Sequence, residues 1–326
     1  MRKVLIVRFS SIGDIVLTTP IIRCLKKQTQ AEVHYLTKAF YKEILNSNPY
    51  IDKLIILNEN FLQESIKEIK SQNYDLILDL QNGLRSFWIK LCVWGVKKRT
   101  VKKRNWEKIL WLYLGVNLLK DHVVDRYFHP LKRLGVRNDN QGLDFFFPKM
   151  IEVPFNTSQK FITFSIGGSY EQKKLSVEQI INICNTILVD SKSSTHIVLL
   201  GGKEEITMGN DILQKVGNKN ISNFCGKISL NQSAYLIQKS SLLLTNDTGL
   251  MHIGAALKKK IISFWGCTKP LLGFVPYKKN DESLEIIYNP DTRPCSKHGN
   301  FCRYTKMGCI KNLDIDVIKP TLLKKI

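Results

Sequence analysis

Short apolar runs alternate with amphipathic stretches from the start of the chain. Val4–Val7, Val33–Leu36, Leu54–Leu57 and Leu76–Leu80 read as strands, with helical spacing at Asp14–Gln28, Lys38–Leu45 and Phe61–Ser71 between them. Unbroken apolar runs of four or five residues suit strands buried on both faces, and their alternation with helices predicts a parallel sheet covered by helices. A second series follows the turn-rich, proline-bearing stretch Pro148–Gln159. There Phe161–Ile166, His196–Leu200, Leu242–Thr245 and Ile261–Trp265 read as strands, and Ser176–Asp190, Glu204–Val216 and Leu230–Lys239 as helices. The pattern predicts an α/β protein of two open units, 1–155 and 156–326, with no internal repeat at fixed period.

Ligands of open parallel sheets bind beyond the carboxyl ends of the strands, so the loops after the strands carry the candidate chemistry. Asn246-Asp247-Thr248-Gly249-Leu250-Met251-His252 lies where an apolar strand passes into a helix. It aims helix N-terminal amides, a hydroxyl and a carboxylate at one point, a combination that attracts phosphate, although Asp247 or Thr248 could equally cap the helix. Gly167-Gly168-Ser169, with Lys173-Lys174 after it, offers a backbone concavity and ammonium groups for phosphate oxygens; two lysines at a helix start also suit a plain solvated face. Gly201-Gly202 followed by Glu204-Glu205 offers a carboxylate for a ribose diol. Together these loops describe a sugar-nucleotide pocket.

After the first strand comes Phe9-Ser10-Ser11-Ile12-Gly13-Asp14, which has neither the G-x-G-x-x-G of dinucleotide folds nor the G-K-[ST] of P-loops. That weakens oxidoreductase and NTPase readings. Gly13 permits close approach of a ligand or backbone, and Asp14 suits either a catalytic position or an N-cap.

Composition narrows the class. The chain has 326 residues, 44% hydrophobic and 24% charged, which is typical of a globular protein. No apolar run reaches 18 residues, and only four apolar residues separate the basic start from Arg8, against the roughly 7–15 of a secretory h-region. The expectation is a cytoplasmic protein. With 49 Lys and Arg against 28 Asp and Glu, the formal net charge is +21, a field attractive to anions, with genome composition as the alternative, non-functional explanation of such lysine-rich usage. The densest cluster is Lys97-Lys98-Arg99 with Lys102-Lys103-Arg104, and Trp88, Trp94, Trp106 and Trp111 bracket it. Tryptophan beside basic residues suits an anionic bilayer interface; core tryptophans beside a solvated loop are the alternative.

Of the eight cysteines, Cys24, Cys92, Cys184, Cys225 and Cys267 lie in apolar segments, as core cysteines do. Cys295, His298, Cys302 and Cys309 are four ligand-type side chains close in sequence, but their spacing matches no common finger, so solvent-side thiols in a C-terminal loop are favoured over a metal site.

Two long segments resemble the signatures of the family 9 glycosyltransferases, the lipopolysaccharide heptosyltransferases. The first is Arg8-Phe9-Ser10-Ser11-Ile12-Gly13-Asp14-Ile15-Val16-Leu17-Thr18-Thr19-Pro20; the second is Asn246-Asp247-Thr248-Gly249-Leu250-Met251-His252-Ile253-Gly254-Ala255-Ala256, with Leu250 where proline is usual. The resemblance implies a GT-B fold, two Rossmann-like domains with parallel sheets facing across a cleft, acceptor on the first and sugar nucleotide on the second; the last helix is expected to pack back on the first domain. It implies inverting transfer of heptose from ADP-heptose to a Kdo or heptose hydroxyl of a phosphorylated lipid A precursor at the cytoplasmic face of the inner membrane, without metal or cofactor. By position, Asp14 resembles the catalytic base, with Ser10, Ser11 and Gly13 on the acceptor side. Gly168, Ser169, Lys173, Glu205, Asp247, Thr248, Gly249 and His252 match the donor side, although Leu175 stands where tryptophan is usual.

Three other readings compete. The charge alone suits a nucleic-acid-binding protein, but no helix-turn-helix, zinc-finger or RNP-type pattern is present and no nucleic acid is expected. A sugar-nucleotide epimerase or hydrolase would turn over donor without acceptor, and a non-catalytic module would bind donor without turnover.

Overall fold

The apolar runs form the strands the pattern predicts, and the computed structural model describes residues 2–58, 60–190 and 195–325. In chain order the strands are β1 (Lys3–Val7), β2 (Glu32–Lys38), β3 (Lys53–Leu57), β4 (Leu76–Asp79), β5 (Lys97–Thr100), β6 (Phe161–Ser165), β7 (His196–Leu200), β8 (Ile221–Asn223), β9 (Leu243–Asn246), β10 (Ile261–Trp265) and β11 (Leu284–Ile287). The chain divides into two units, one of residues 1–104 and 121–149, the other of residues 105–120 and 150–326. The segment 105–120 thus groups with the second unit.

The first unit holds a parallel sheet ordered β3-β2-β1-β4-β5. Its central strands are buried on both faces, with Leu5, Leu36 and Ile77 in one apolar cluster with Ile66, Ile69 and Ile89 of the covering helices. The helix expected over Asp14–Gln28 is two helices, Ile12–Val16 and Thr19–Thr29; Pro20 sits in the first turn of the second, where a missing N–H costs nothing. β5 is an edge strand, parallel to β4, made of Lys97-Lys98-Arg99-Thr100. Half of the basic run is therefore a strand. Backbone pairing on one side holds it, and lysines on an open edge oppose further strand addition.

The second unit holds a parallel sheet ordered β11-β10-β9-β6-β7-β8. Ile162, Phe164, Leu199, Leu244 and Phe264 pack with Ile180, Ile183 and Ile187 of the helix Val177–Asp190. The last helix, Ile315–Leu323, places Ile315 and Leu322 in this same cluster. It packs within the second unit, because its apolar residues complete the cover over Val177–Asp190.

Both sheets reverse strand order beside their first strand, between β1 and β4 in one and between β6 and β9 in the other. Such switch points leave an opening at the carboxyl ends of the strands. The segments leaving them are Arg8–Asp14 and Leu80–Asn82 in the first unit, and Ile166–Ser169 and Asp247–Gly249 in the second.

Candidate active site

In the first unit, β1 ends on Val7 and Arg8 turns its guanidinium across the switch point. Nε donates to the Ser10 carbonyl at 2.7 Å, Nη1 to the Leu80 carbonyl at 2.7 Å, and Nη2 lies 2.7 Å from Asp14 Oδ2. A planar fork can serve three acceptors at once; an ammonium on a flexible stem could not hold them in fixed directions. Ser11 is the N-cap of the helix Ile12–Val16 and Asp14 its third residue, so the carboxylate reaches back to the Ser11 backbone N–H at 3.3 Å and its hydroxyl at 3.0 Å. Asp14 is thus not the cap itself but the acid of a capping pair. Ser10 is half-buried, Ser11 exposed and Gly13 buried.

Burial works to raise the Asp14 carboxyl, but the Arg8 charge and the Ser11 and Arg8 hydrogen bonds outweigh it and hold the group below its ordinary value. Tyr127, in the helix Val123–Phe128, hydrogen-bonds Asp14, and burial first of all pushes its phenol above the usual range, so it is a proton donor there. Lys103 stands in the same field: partial desolvation of its ammonium, then Arg8, lowers it, while Asp79 and Asp14 raise it. Arg8 and Tyr127 carry roles that the sequence reading did not assign. Arg8 had one visible signal, a charge directly after an apolar strand; Tyr127 had none.

In the second unit, Asn246 ends β9 with its side chain buried. It donates to the Ile166 and Gly167 carbonyls at 2.9 and 3.1 Å and accepts from the Leu175 amide at 3.4 Å, fixing the Gly167-Gly168-Ser169 loop to the strand beside it. Asp247 follows; its Oδ2 lies 2.6 Å from Lys173 Nζ and accepts from the Thr268 hydroxyl at 3.0 Å. Thr248 is the N-cap of the helix Gly249–Ala256. Its own hydroxyl lies 3.4 Å from Ser165 Oγ and 3.3 Å from Thr245 Oγ1, leaving the first helix amides without a side-chain cap. His252 is buried one turn further on.

The two lysines of the Gly167 loop part company. Lys173 meets Asp247, whereas Lys174 is buried and pairs with Glu205 at 2.9 Å and Glu171 at 3.0 Å. Glu205 is itself buried and accepts from the Gly202 amide at 2.9 Å. Lys173, Asp247, Thr248 and Gly249 are therefore brought together, while Glu205 and Gly168 gather around Lys174; a Cβ on Gly168 would lie 3.1 Å from Lys174 Cγ. Ser169 and Glu204 are exposed.

The basic cluster and its tryptophans separate as well. Lys97, Lys98, Lys102 and Lys103 are exposed, Arg99 is half-buried, and Arg104 pairs with Asp121 at 3.3 Å. On the helix Leu84–Cys92, the residues Leu84, Phe87, Trp88 and Leu91 form an exposed apolar stripe at helical spacing, with Trp94 exposed just beyond. Trp106 is exposed too, but Trp111 is buried with Leu119 and Leu272, as a core residue.

The candidate metal ligands also need correcting. Cys295, Cys302 and Cys309 are buried, not solvent-side, and the fourth member of their cluster is Cys267 rather than His298, which is exposed. The Cys295 amide donates to the Cys267 carbonyl at 2.8 Å, drawing the loop onto the end of β10 and carrying His298 past the cluster.

The model of glycosyltransferase family 9 (heptosyltransferase) matches residues 63–302. Lipopolysaccharide heptosyltransferase 1 of Campylobacter coli is 23% identical over 82% of this chain and 84% of its own length. Lipopolysaccharide heptosyltransferase 2 of Escherichia coli is 22% identical, over 82% of this chain and 84% of its own. An E. coli heptosyltransferase solved with ADP superposes with a TM-score of 0.73 at 17% identity, covering 99% of this chain and 100% of its own. Two parallel-sheet Rossmann-like units of this kind are the GT-B fold. With the family matched over most of its length, the chain belongs to glycosyltransferase family 9, the heptosyltransferases, and is a glycosyltransferase.

Proposed function

We propose that the chain transfers heptose from ADP-heptose, with inversion, to a Kdo or heptose hydroxyl of a phosphorylated lipid A precursor, without a metal in the reaction. The observation that carries this reading is the pairing, beyond β9, of the Lys173 ammonium with the Asp247 carboxylate, next to the uncapped start of the helix Gly249–Ala256. A departing nucleoside diphosphate carries negative charge, and an ammonium with oriented amides stabilises it as that charge develops. Asp247 holds the ammonium in place. The ADP bound by the E. coli neighbour supports adenine nucleotide as the leaving group.

On the first unit, Asp14 takes the acceptor proton. A carboxylate held below its ordinary value is a weak base toward an alcohol, so transfer comes late, as the anomeric centre gains oxocarbenium character and the hydroxyl acidifies. Arg8 and Ser11 both engage Oδ2, and Tyr127 hydrogen-bonds the same carboxylate, so the proton arrives at a group whose orientation is fixed. Lys103, in the field of Asp14, is the member of the basic run best placed for an anionic acceptor. Glu205 is the proposed ribose-binding acid; its buried pairing with Lys174 requires that it do so from a fixed position.

None of the described helices is long and apolar enough to cross a membrane. The stripe Leu84, Phe87, Trp88, Leu91 and Trp94, with Lys97 and Lys98 following, supports attachment to an anionic bilayer surface on the cytoplasmic side.

Thermal shift against ADP, GDP, UDP and dTDP sugars tests the donor, since a ligand stabilises the folded state according to its affinity. ADP-heptose is expected to give the largest shift. Asp14→Asn should then keep that shift while losing transfer to a Kdo-bearing lipid A acceptor. A larger shift with another nucleotide, or unchanged transfer by the variant, overturns the respective assignment.

A further inference from the structure

Cys267, Cys295, Cys302 and Cys309 come from segments up to 42 residues apart and meet in one buried cluster, their sulfurs all within 4.8 Å of one another. Cys267 and Cys309 lie 3.6 Å apart at Sγ, Cys295 and Cys302 3.9 Å. Four thiolates about 2.3 Å from a central tetrahedral ion sit about 3.8 Å from each other. The two measured edges straddle that value. A disulfide would require sulfurs about 2.05 Å apart, and all eight cysteines are free.

Buried thiols often act as small apolar side chains, but two features of this cluster are those of an ion site. Backbone amides point at the sulfurs: that of Arg303 donates to Cys295 and that of Cys309 to Cys267. Finally, the Lys269 ammonium is buried beside the thiols, its Nζ held by the Tyr288 and Asn289 carbonyls at 2.6 and 2.7 Å, which supplies positive charge where a tetrathiolate complex carries a net negative one.

We propose that Cys267, Cys295, Cys302 and Cys309 are the four ligands of a structural site for a tetrahedral divalent ion, Zn2+ or Fe2+. Binding releases the thiol protons to solvent and forms four metal–sulfur bonds, with no change of oxidation state. A closed four-ligand shell leaves no open position for substrate, so the ion acts on the fold. It ties the irregular segment 288–312 to the end of β10. That segment in turn bears on Lys173: a Cβ on Gly299 would lie 2.4 Å from Lys173 Cγ, and Gln172 Nε2 donates to the Lys306 carbonyl at 3.3 Å. The ion therefore holds the wall beside the Lys173–Asp247 pair in place.

The test is elemental analysis of the full chain, purified reduced and without chelator, with native and denaturing mass spectrometry. It does not depend on the donor assignment. One ion per chain is expected, its identity read as zinc or iron, with a denatured mass of four reduced thiols at the cluster. Cys302→Ala and Cys309→Ala should lose the ion, and Cys92→Ala, outside the cluster, should keep it. Should the cluster variants fail to fold, titration of the unaltered chain with an organomercurial in the presence of a metallochromic dye gives the same answer, releasing one ion as the cluster thiols are consumed. A reduced chain that takes up neither Zn2+ nor Fe2+ on reconstitution, or a mass showing two disulfides at these positions, overturns the proposal.

Discussion

Arg8 and Asp14 form an ion pair of 2.7 Å in which the arginine is also anchored to the carbonyls of Ser10 and Leu80. The guanidinium thus fixes where the carboxylate sits and which protonation state it holds. Burial is the largest influence on Asp14 and acts upward, and the Arg8 charge is the next, acting downward. Replacing Arg8 with Gln removes the largest downward influence and leaves the burial opposed only by the Ser11 hydrogen bonds. The carboxyl should then titrate higher than in the unaltered chain, and the acid limb of the transfer rate should move to higher pH. We expect a loss of roughly 10²-fold in turnover near neutrality, of the size general-base positioning contributes. Rate measurements between pH 4 and 8 check this, and an acid limb that stays put would show that Arg8 does not govern the base.

Adjacent lysines should behave differently when truncated. Lys173→Met removes the ammonium from Asp247 and should weaken ADP binding, read as a roughly 10- to 100-fold rise in donor Kd, about 1.4–2.7 kcal/mol. Lys174→Met leaves Glu205 buried without its cation, a change that typically costs about 3–5 kcal/mol. It should lower the melting temperature more than Lys173→Met does. Calorimetric titration with ADP and thermal melts separate the two; equal melting losses would contradict the division of roles.

What the sequence made legible follows from the range of the interactions involved. The strands β7 and β10 are visible as His196–Leu200 and Ile261–Trp265 because continuous apolar runs report burial on both faces. The strand Lys97–Thr100 is not visible, since its residues are polar and pairing with β4 alone holds it. Asp14, Lys173 and Asp247 could be picked out because they follow strands at switch points. Tyr127 and Cys267 could not, because each acquires its role from a partner that only the fold brings near: Asp14 and the cysteines of the last forty residues. Proximity in sequence likewise suggested His298 as a ligand, where the backbone bond from Cys295 to Cys267 selects Cys267 instead.

The exposed stripe on the helix Leu84–Cys92 makes a membrane prediction separable from catalysis. Trp88→Ser with Trp94→Ser should lower flotation with vesicles of anionic lipid, as should neutralising Lys97 and Lys98; each basic residue near such a surface is worth about 1 kcal/mol. Trp111→Phe serves as the contrast, because that ring is buried with Leu119 and Leu272. Raising the salt should weaken wild-type attachment and leave less for the lysine variant to lose. Flotation unaffected by both exposed-site variants would remove this face from the membrane reading.

Acid stability of the first unit should be set in part by Arg23, whose guanidinium is buried between Asp139 and Asp144 and also donates to the Gly142 carbonyl at 2.9 Å. Hydrogen bonds from Arg23 are the largest influence on Asp139 and lower it to about 2, whereas burial outweighs the same arginine at Asp144 and raises that carboxyl. The two acids therefore act on stability with opposite sign. Asp139, depressed in the folded state, contributes stability that is present above its ordinary value of 3.8 and lost as pH falls through about 2. Asp144, raised, contributes stability at low pH that is lost as pH rises through its folded value. Denaturant unfolding of Asp139→Asn should show less destabilisation than the unaltered chain between pH 4 and 2, by on the order of 2 kcal/mol. Asp144→Asn should instead steepen the acid loss, since it removes the group that opposes it. Parallel curves for both variants would show that the arginine does not couple to these carboxylates.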